Sequence, residues 1–174
     1  KTVMKDPKDF PGDKLMGRAM MVMTPKKNVY SVASILESLG IEIVDISVGS
    51  IGDINSFRNK EIDNDIGAVI NVGSEVTTVS LYNKGIPVNT KIVGMGGKDI
   101  DNDIAYMYKI NTVEAKKVKE KFAFANRQNA NVNDVYETTN LNGQKIKINQ
   151  LEVSEVVMCR VQEILSLAKN EINL

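Results

Sequence analysis

Histidine is absent from these 174 residues, which removes the commonest metal ligand and the commonest general base. A single cysteine, Cys159, excludes an intrachain disulfide framework and a cysteine-based zinc cluster, so a reducing, intracellular setting is expected and no protein-held metal is predicted. Charge of one sign is also missing. Lysine plus arginine and aspartate plus glutamate both number 22, and this balance gives no support to a nucleic-acid surface. No apolar run approaches the ~20 residues of a membrane-spanning helix, and no secretory signal is read. The chain opens on Lys1 and closes on Leu174 after a charged helix, which reads as a piece cut from a longer protein. What remains is a 43% hydrophobic sequence able to bury a real core.

The early part reads as loop, strand, helix, strand. Pro7, Pro11 and Gly12 lie among charges in an extended loop over residues 1–14, and Ala19 to Met23 form an apolar strand. Thr24 and Pro25 are a good cap and first residue for a helix carrying Val29, Val32, Ala33, Leu36 and Leu39 at helical spacing, ended by Gly40. Ile41 to Val48 is rich in β-branched residues and reads as a strand. Gly49 to Phe57 reads as a short segment, helical at its end, and residues 58–65 as a solvated linker.

The centre is the most informative stretch. Gly67 to Val72 is an apolar strand that ends at Gly73, and the strand pattern resumes over Thr77 to Tyr82. Asn83-Lys84-Gly85-Ile86 turns the chain again into a third strand, Pro87 to Val93, which closes at Gly94-Met95-Gly96-Gly97 before an acid-rich helix start. A polar residue and a glycine at a hairpin tip leave backbone N–H groups able to approach a phosphate. A plain antiparallel meander would show the same glycine turns, so this segment alone leaves both readings open.

Helices follow from about Lys98 to Tyr108 and, capped by Thr112, through Ala125, with Val113, Ala115, Val118, Phe122 and Ala125 as the apolar stripe of the second. Its crowd of Glu and Lys reads by default as a solvated face. Residues 126–134 form an Asn-rich loop. Val135–Thr139 and Gln144–Ile148 flank an Asn-Gly turn as a hairpin, and a long helix runs from Gln150 to Ile172. Val153, Val156, Val157, Val161, Ile164 and Leu165 face inward in that reading, Arg160, Glu163 and Glu155 face outward, and Cys159 is partly buried.

Taken in order, Ser34 to Ile46, the strand Gly67 to Val72, the hairpin ending Leu81-Tyr82-Asn83-Lys84-Gly85, the Gly96-Gly97 pair before Asp103-Ile104-Ala105, and the helix Glu155 to Leu167 resemble the FtsA family of bacterial cell-division proteins. The resemblance implies an α/β, actin-like (ribonuclease H-like) lobe with a mixed sheet and flanking helices. It divides the chain into the end of the family's extra subdomain (1–23), part of the first lobe (24–65), the core of the second lobe (66–104), a small outer subdomain (105–150) and a helix returning to the core (151–174). It implies a nucleotide site at Asn71, Gly73, Ser74, Thr77, Gly96 and Gly97, with Lys116, Lys119 and Glu120 on one helical face beside the adenosine. The implied cofactor is ATP with Mg²⁺ in the full-length protein. The implied partners are the C-terminal tail of FtsZ at Arg160 and Glu163, further copies in actin-like filaments, and the membrane through a C-terminal segment, at the cytoplasmic face of the division site.

This chain also departs from the family. Ser74 and Glu75 stand where family members carry glycines, and the amide of Asn71 stands where many carry an acid, so a metal would meet only a neutral oxygen there. No glutamine lies near Val48–Asp53 to orient an attacking water; Asp53 or Ser50 would do so only in the right geometry. Binding with at most weak ATP hydrolysis is expected, and an inactive fragment. An actin-fold interaction scaffold without nucleotide function, or an MreB-like filament protein, are the alternatives.

Overall fold

The computed structural model describes residues 8–14, 16–17 and 21–172, which fall into two compact units, 1–46 and 47–174. In the first, α1 (Lys26–Ser38) starts after Pro25 without a side-chain cap, not at a Thr24 cap. It ends at Gly40, whose φ of +74° is a left-handed conformation that glycine adopts without a Cβ penalty, and Ile41 N–H closes the end on Leu36 O at 3.0 Å. Val29, Ala33 and Leu36 are half-buried, whereas Val32 and Leu39 are exposed. The expected strand over 41–48 is not formed, because a strand exists by pairing and none of the described residues pairs with it. Of the expected strand Ala19–Met23, the first two residues lie outside the described ones, and 21–23 have no regular structure.

The second unit begins with α2 (Gly49–Ser56), helical throughout and not only at its end. The segment read as a linker holds a helix, α3 (Lys60–Asn64): the Asn59 side chain accepts the Ile62 N–H, and Ile62 is buried. Strands β1 (Ile66–Val72), β2 (Thr77–Asn83) and β3 (Ile86–Val93) form an antiparallel meander in that order, with Asn71 opposite Thr78 and Val79 opposite Lys91. Lys84 and Gly85 both take positive φ at the β2–β3 turn, as a tight hairpin requires.

Successive strand residues point to opposite faces, and Val79 and Ser80 are both fully buried, so β2 is covered on both sides. The two covers can be named. Asn71 reaches Asp53 of α2 on one face, and on the other Lys91 lies 3.8 Å from Glu171 of the last helix. A helix–sheet–helix sandwich follows, with every strand pairing among the described residues antiparallel.

After β3 come α4 (Gly97–Tyr108), α5 (Thr112–Lys121), a 3-10 turn at Arg127–Asn129, the hairpin of β4 (Val135–Thr139) and β5 (Lys145–Asn149), and α6 (Gln150–Ile172). The cap of α5 is Asn111, whose side chain accepts the Glu114 N–H, and the helix stops at Lys121, earlier than Ala125. Ile100, Ile104, Ile110, Ala115, Val118, Ile148, Val153 and Val157 make one core between α4, α5, β5 and α6. Val113, Ala125 and Leu165, expected inside, are exposed. Ser154 is inside instead, because its hydroxyl accepts the Phe124 N–H at 3.0 Å. Cys159 is exposed, not partly buried.

Candidate functional site

Two glycine turns meet edge to edge between β1 and α4. The Gly73 N–H closes the first turn on Val76 O at 2.9 Å; the Gly97 and Lys98 N–H groups at the start of α4 donate to Gly73 O and Ser74 O at 2.9 and 2.8 Å. Space, not φ, dictates glycine here. A Cβ on Gly96 would lie 2.5 Å from Gly73 O and 2.6 Å from Ser74 O, well inside any real contact. The junction is pinned underneath by Thr77, a buried residue whose hydroxyl donates to Met95 O at 2.8 Å, and at the helix start by Asp99 Oδ2, which accepts the Gly96 N–H at 2.8 Å.

No hydrogen bond among the described residues occupies the N–H groups of Ser74 and Glu75 at the tip of the turn. Two such donors beside a helix N-terminus are the chemistry that receives a phosphate oxygen. The Glu75 carboxylate does not crowd this position freely: Lys98 Nζ holds Oε1 at 2.6 Å. That hydrogen bond and charge keep Glu75 below the usual carboxylate range and hold Lys98 above the usual lysine range.

Of the charged face of α5, Lys119 joins the junction. Its ammonium donates to Gly97 O at 2.8 Å and lies 2.7 Å from Asp101 Oδ1, the latter an ion pair without an aligned hydrogen bond. Lys116 and Glu120 instead pair with each other at 3.8 Å, each more than half exposed. Glu114, counted with the solvated charges, is engaged: Lys117, Tyr136 and Thr138 all hydrogen-bond its carboxylate, and its acidity is strengthened by Lys117 first and Tyr136 next.

Asn71, next to last in β1, has its amide donating to Asp53 Oδ1 of α2 at 3.1 Å. A carboxylate from α2 thus stands beside the amide that takes the place of the strand's acid. One carboxylate is enough to hold a hydrated Mg²⁺, which keeps several waters, so Asp53 with Asn71 fits that ion as an outer anchor. No group of three or more acidic, cysteine or histidine side chains among the described residues makes a dedicated cage.

A second region lies between α4 and α6. Arg160 forks onto Asp103 at 2.6 and 2.9 Å and sends its remaining nitrogen to Glu163 at 2.7 Å and toward Met95 Sδ at 3.7 Å. The fork to Asp103 pushes the guanidinium pKa up, so it stays charged at any physiological pH. Arg160 and Glu163 therefore do come together. Asp103, Asp101, Lys98 and Met95 were not among the site residues expected from sequence, since their partners, from Glu75 to Arg160, are distant in the chain and no local periodicity records such pairs.

The fold is that of the actin-like proteins. MreB5 of Spiroplasma citri bound to ADP aligns with a TM-score of 0.68 at 17% identity over 86% of this chain and 48% of that one, and the ethanolamine utilization protein EutJ of Carboxydothermus hydrogenoformans with 0.59 at 18% over 84% and 43%. The model of the family "Cell division protein FtsA" matches residues 68–173, more than half of the chain, and the chain belongs to that family. Among relatives, the FtsA of Bacillus subtilis is 27% identical over 96% of this chain and 38% of its own length, and that of Buchnera aphidicola 23% over 99% and 41%. The chain thus spans about two-fifths of these relatives.

Proposed function

We propose that this chain is part of an actin-like cell-division adaptor whose glycine junction contacts the phosphates of ATP. The observation that carries the reading is the pair of unoccupied N–H groups at Ser74 and Glu75 beside the N-terminus of α4, with Lys119 anchored on Gly97 O. When bound, ATP with Mg²⁺ supplies the ligand charge that these donors answer; the Asp53–Asn71 pair positions the ion's water shell. Lys119 and the Lys116–Glu120 pair line the approach to the sugar and base. Turnover is slow, since of the two candidates to orient water Asp53 is already committed to Asn71 and Ser50 is buried.

In the same reading, the α4–α6 face with Arg160 and Glu163 binds the FtsZ tail. The whole protein self-associates into filaments and sits at the cytoplasmic face of the division site through a segment outside this chain. No described helix is long and apolar enough to cross a membrane. The subdivision into subdomains set out from sequence belongs to this proposal.

The test is labelled ATP added to the full-length parent protein, with and without Mg²⁺. Lys119→Ala with Glu120→Ala should weaken binding by ~10-fold or more, equivalent to ~1.4 kcal/mol, while the melting curve keeps its cooperativity. Unchanged affinity in a folded variant would favour the interaction scaffold without nucleotide function.

A further inference from the structure

We propose that Glu75 is a built-in competitor of the nucleotide: its carboxylate holds the ammonium of Lys98, and a phosphate group arriving at the turn takes that ammonium over. This rests on the reading of the glycine junction as a phosphate site, and it names what regulates that site. Lys98 touches the first turn at both of its ends. Its N–H donates to Ser74 O at 2.8 Å and its Nζ to Glu75 Oε1 at 2.6 Å, so the side chain folds back over the tip of the turn. The ammonium is thus carried to the two residues, Ser74 and Glu75, whose N–H groups make no hydrogen bond among the described residues.

Exposure separates the two cations of the junction. The Lys119 side chain is 19% exposed and its ammonium is fixed by two acceptors, Gly97 O and the buried Asp101. The side chains of Lys98 and Glu75 are 57% and 69% exposed, and each has the other as its one hydrogen-bonding side-chain partner among the described residues. An ion pair so open to water contributes little and is readily exchanged. Nor does the helix favour Lys98 where it stands, since it is the second residue of α4, at the end whose dipole disfavours a cation. A phosphate brings more negative charge than a carboxylate and accepts a charge-assisted hydrogen bond from the same ammonium, while the released Glu75 side chain returns to solvent. Asp99 cannot be exchanged in this way, because its carboxylate accepts the Gly96 N–H and so closes the helix start. Glu75 therefore sets the affinity: binding begins by breaking an ion pair.

The experiment titrates ATP into the full-length parent protein and into Glu75→Gln, Lys98→Ala and the two combined, with a melting curve for each; Glu75→Ala repeats the first arm without the amide. Glu75→Gln should bind ATP ~3-fold tighter or more, the opposite of what losing a merely structural contact gives. Lys98→Ala should weaken binding, and it should weaken it more in the Glu75→Gln background, by ~10-fold, because there no internal acid shares the ammonium. Equal or weaker binding by Glu75→Gln would overturn the proposal. So would a Lys98→Ala cost that is the same in both backgrounds, or one that vanishes once Glu75 is neutral, which would leave Lys98 only holding Glu75 aside. ATP binding by the parent protein with none of the expected responses overturns this proposal alone. No ATP binding by the parent or by Glu75→Gln overturns the phosphate reading of the junction as well.

Discussion

Gly96 shows what a single residue contributes. Its backbone is extended, so any residue could take its φ, yet two carbonyl oxygens lie where a methyl group would sit. Gly96→Ala should therefore part the two turns, lengthen the Gly97 and Lys98 N–H bonds to Gly73 and Ser74, and destabilise the protein by ~1–3 kcal/mol, as overpacking does. Urea unfolding reads this directly, and a loss under ~0.5 kcal/mol would show that the junction gives way easily. The glycine pair was visible in the sequence. Its reason was not, because the atoms that exclude a side chain belong to residues 73 and 74.

Elements differ in how openly the chain declares them. The meander, the three glycine-bearing hairpin turns and α6 follow from local pattern, so they are read from sequence within a residue or two. The segment over 58–65 hid α3, because five residues with a single apolar Ile62 carry no periodic signal and the Asn59 cap looks like any polar residue. The strand expected at 41–48 failed for the opposite reason: its β-branched pattern is strong, but pairing is a property of two segments. In α6 the same limit applies to Ser154, polar in sequence and fully buried in place. Its hydroxyl receives the Phe124 N–H and so ties the loop after α5 to the helix. Ser154→Ala should leave that N–H unpaired and cost ~1–3 kcal/mol in urea unfolding, while Ser166→Ala, at an exposed position of the same helix, should cost under ~0.5 kcal/mol. Equal losses at the two positions would refute the bond's importance.

At the scale of the whole molecule, α4 connects the first glycine turn, α5 and α6. Its start meets the first glycine turn, Lys98 holds Glu75, Asp101 meets Lys119 of α5, and Asp103 holds Arg160 of α6. The acids at 101 and 103 sit on different sides of the helix and thus fasten two different neighbours. The sequence located the candidate residues Gly73, Ser74, Thr77, Gly96, Gly97 and Lys119, and the structure gathers them at one junction. Lys116 and Glu120 remain a separate exposed pair, since one residue of helical rotation, ~100°, divides Glu120 from Lys119. Phosphate contact at the tip of this junction is the claim to be tested. Amide hydrogen exchange of the full-length parent protein, followed with and without saturating ATP, addresses it most directly. The account predicts that the peptide covering Ser74 and Glu75 gains protection on ATP addition, beyond any change at the β4–β5 hairpin. ATP binding with unchanged exchange at residues 74–75 would contradict it.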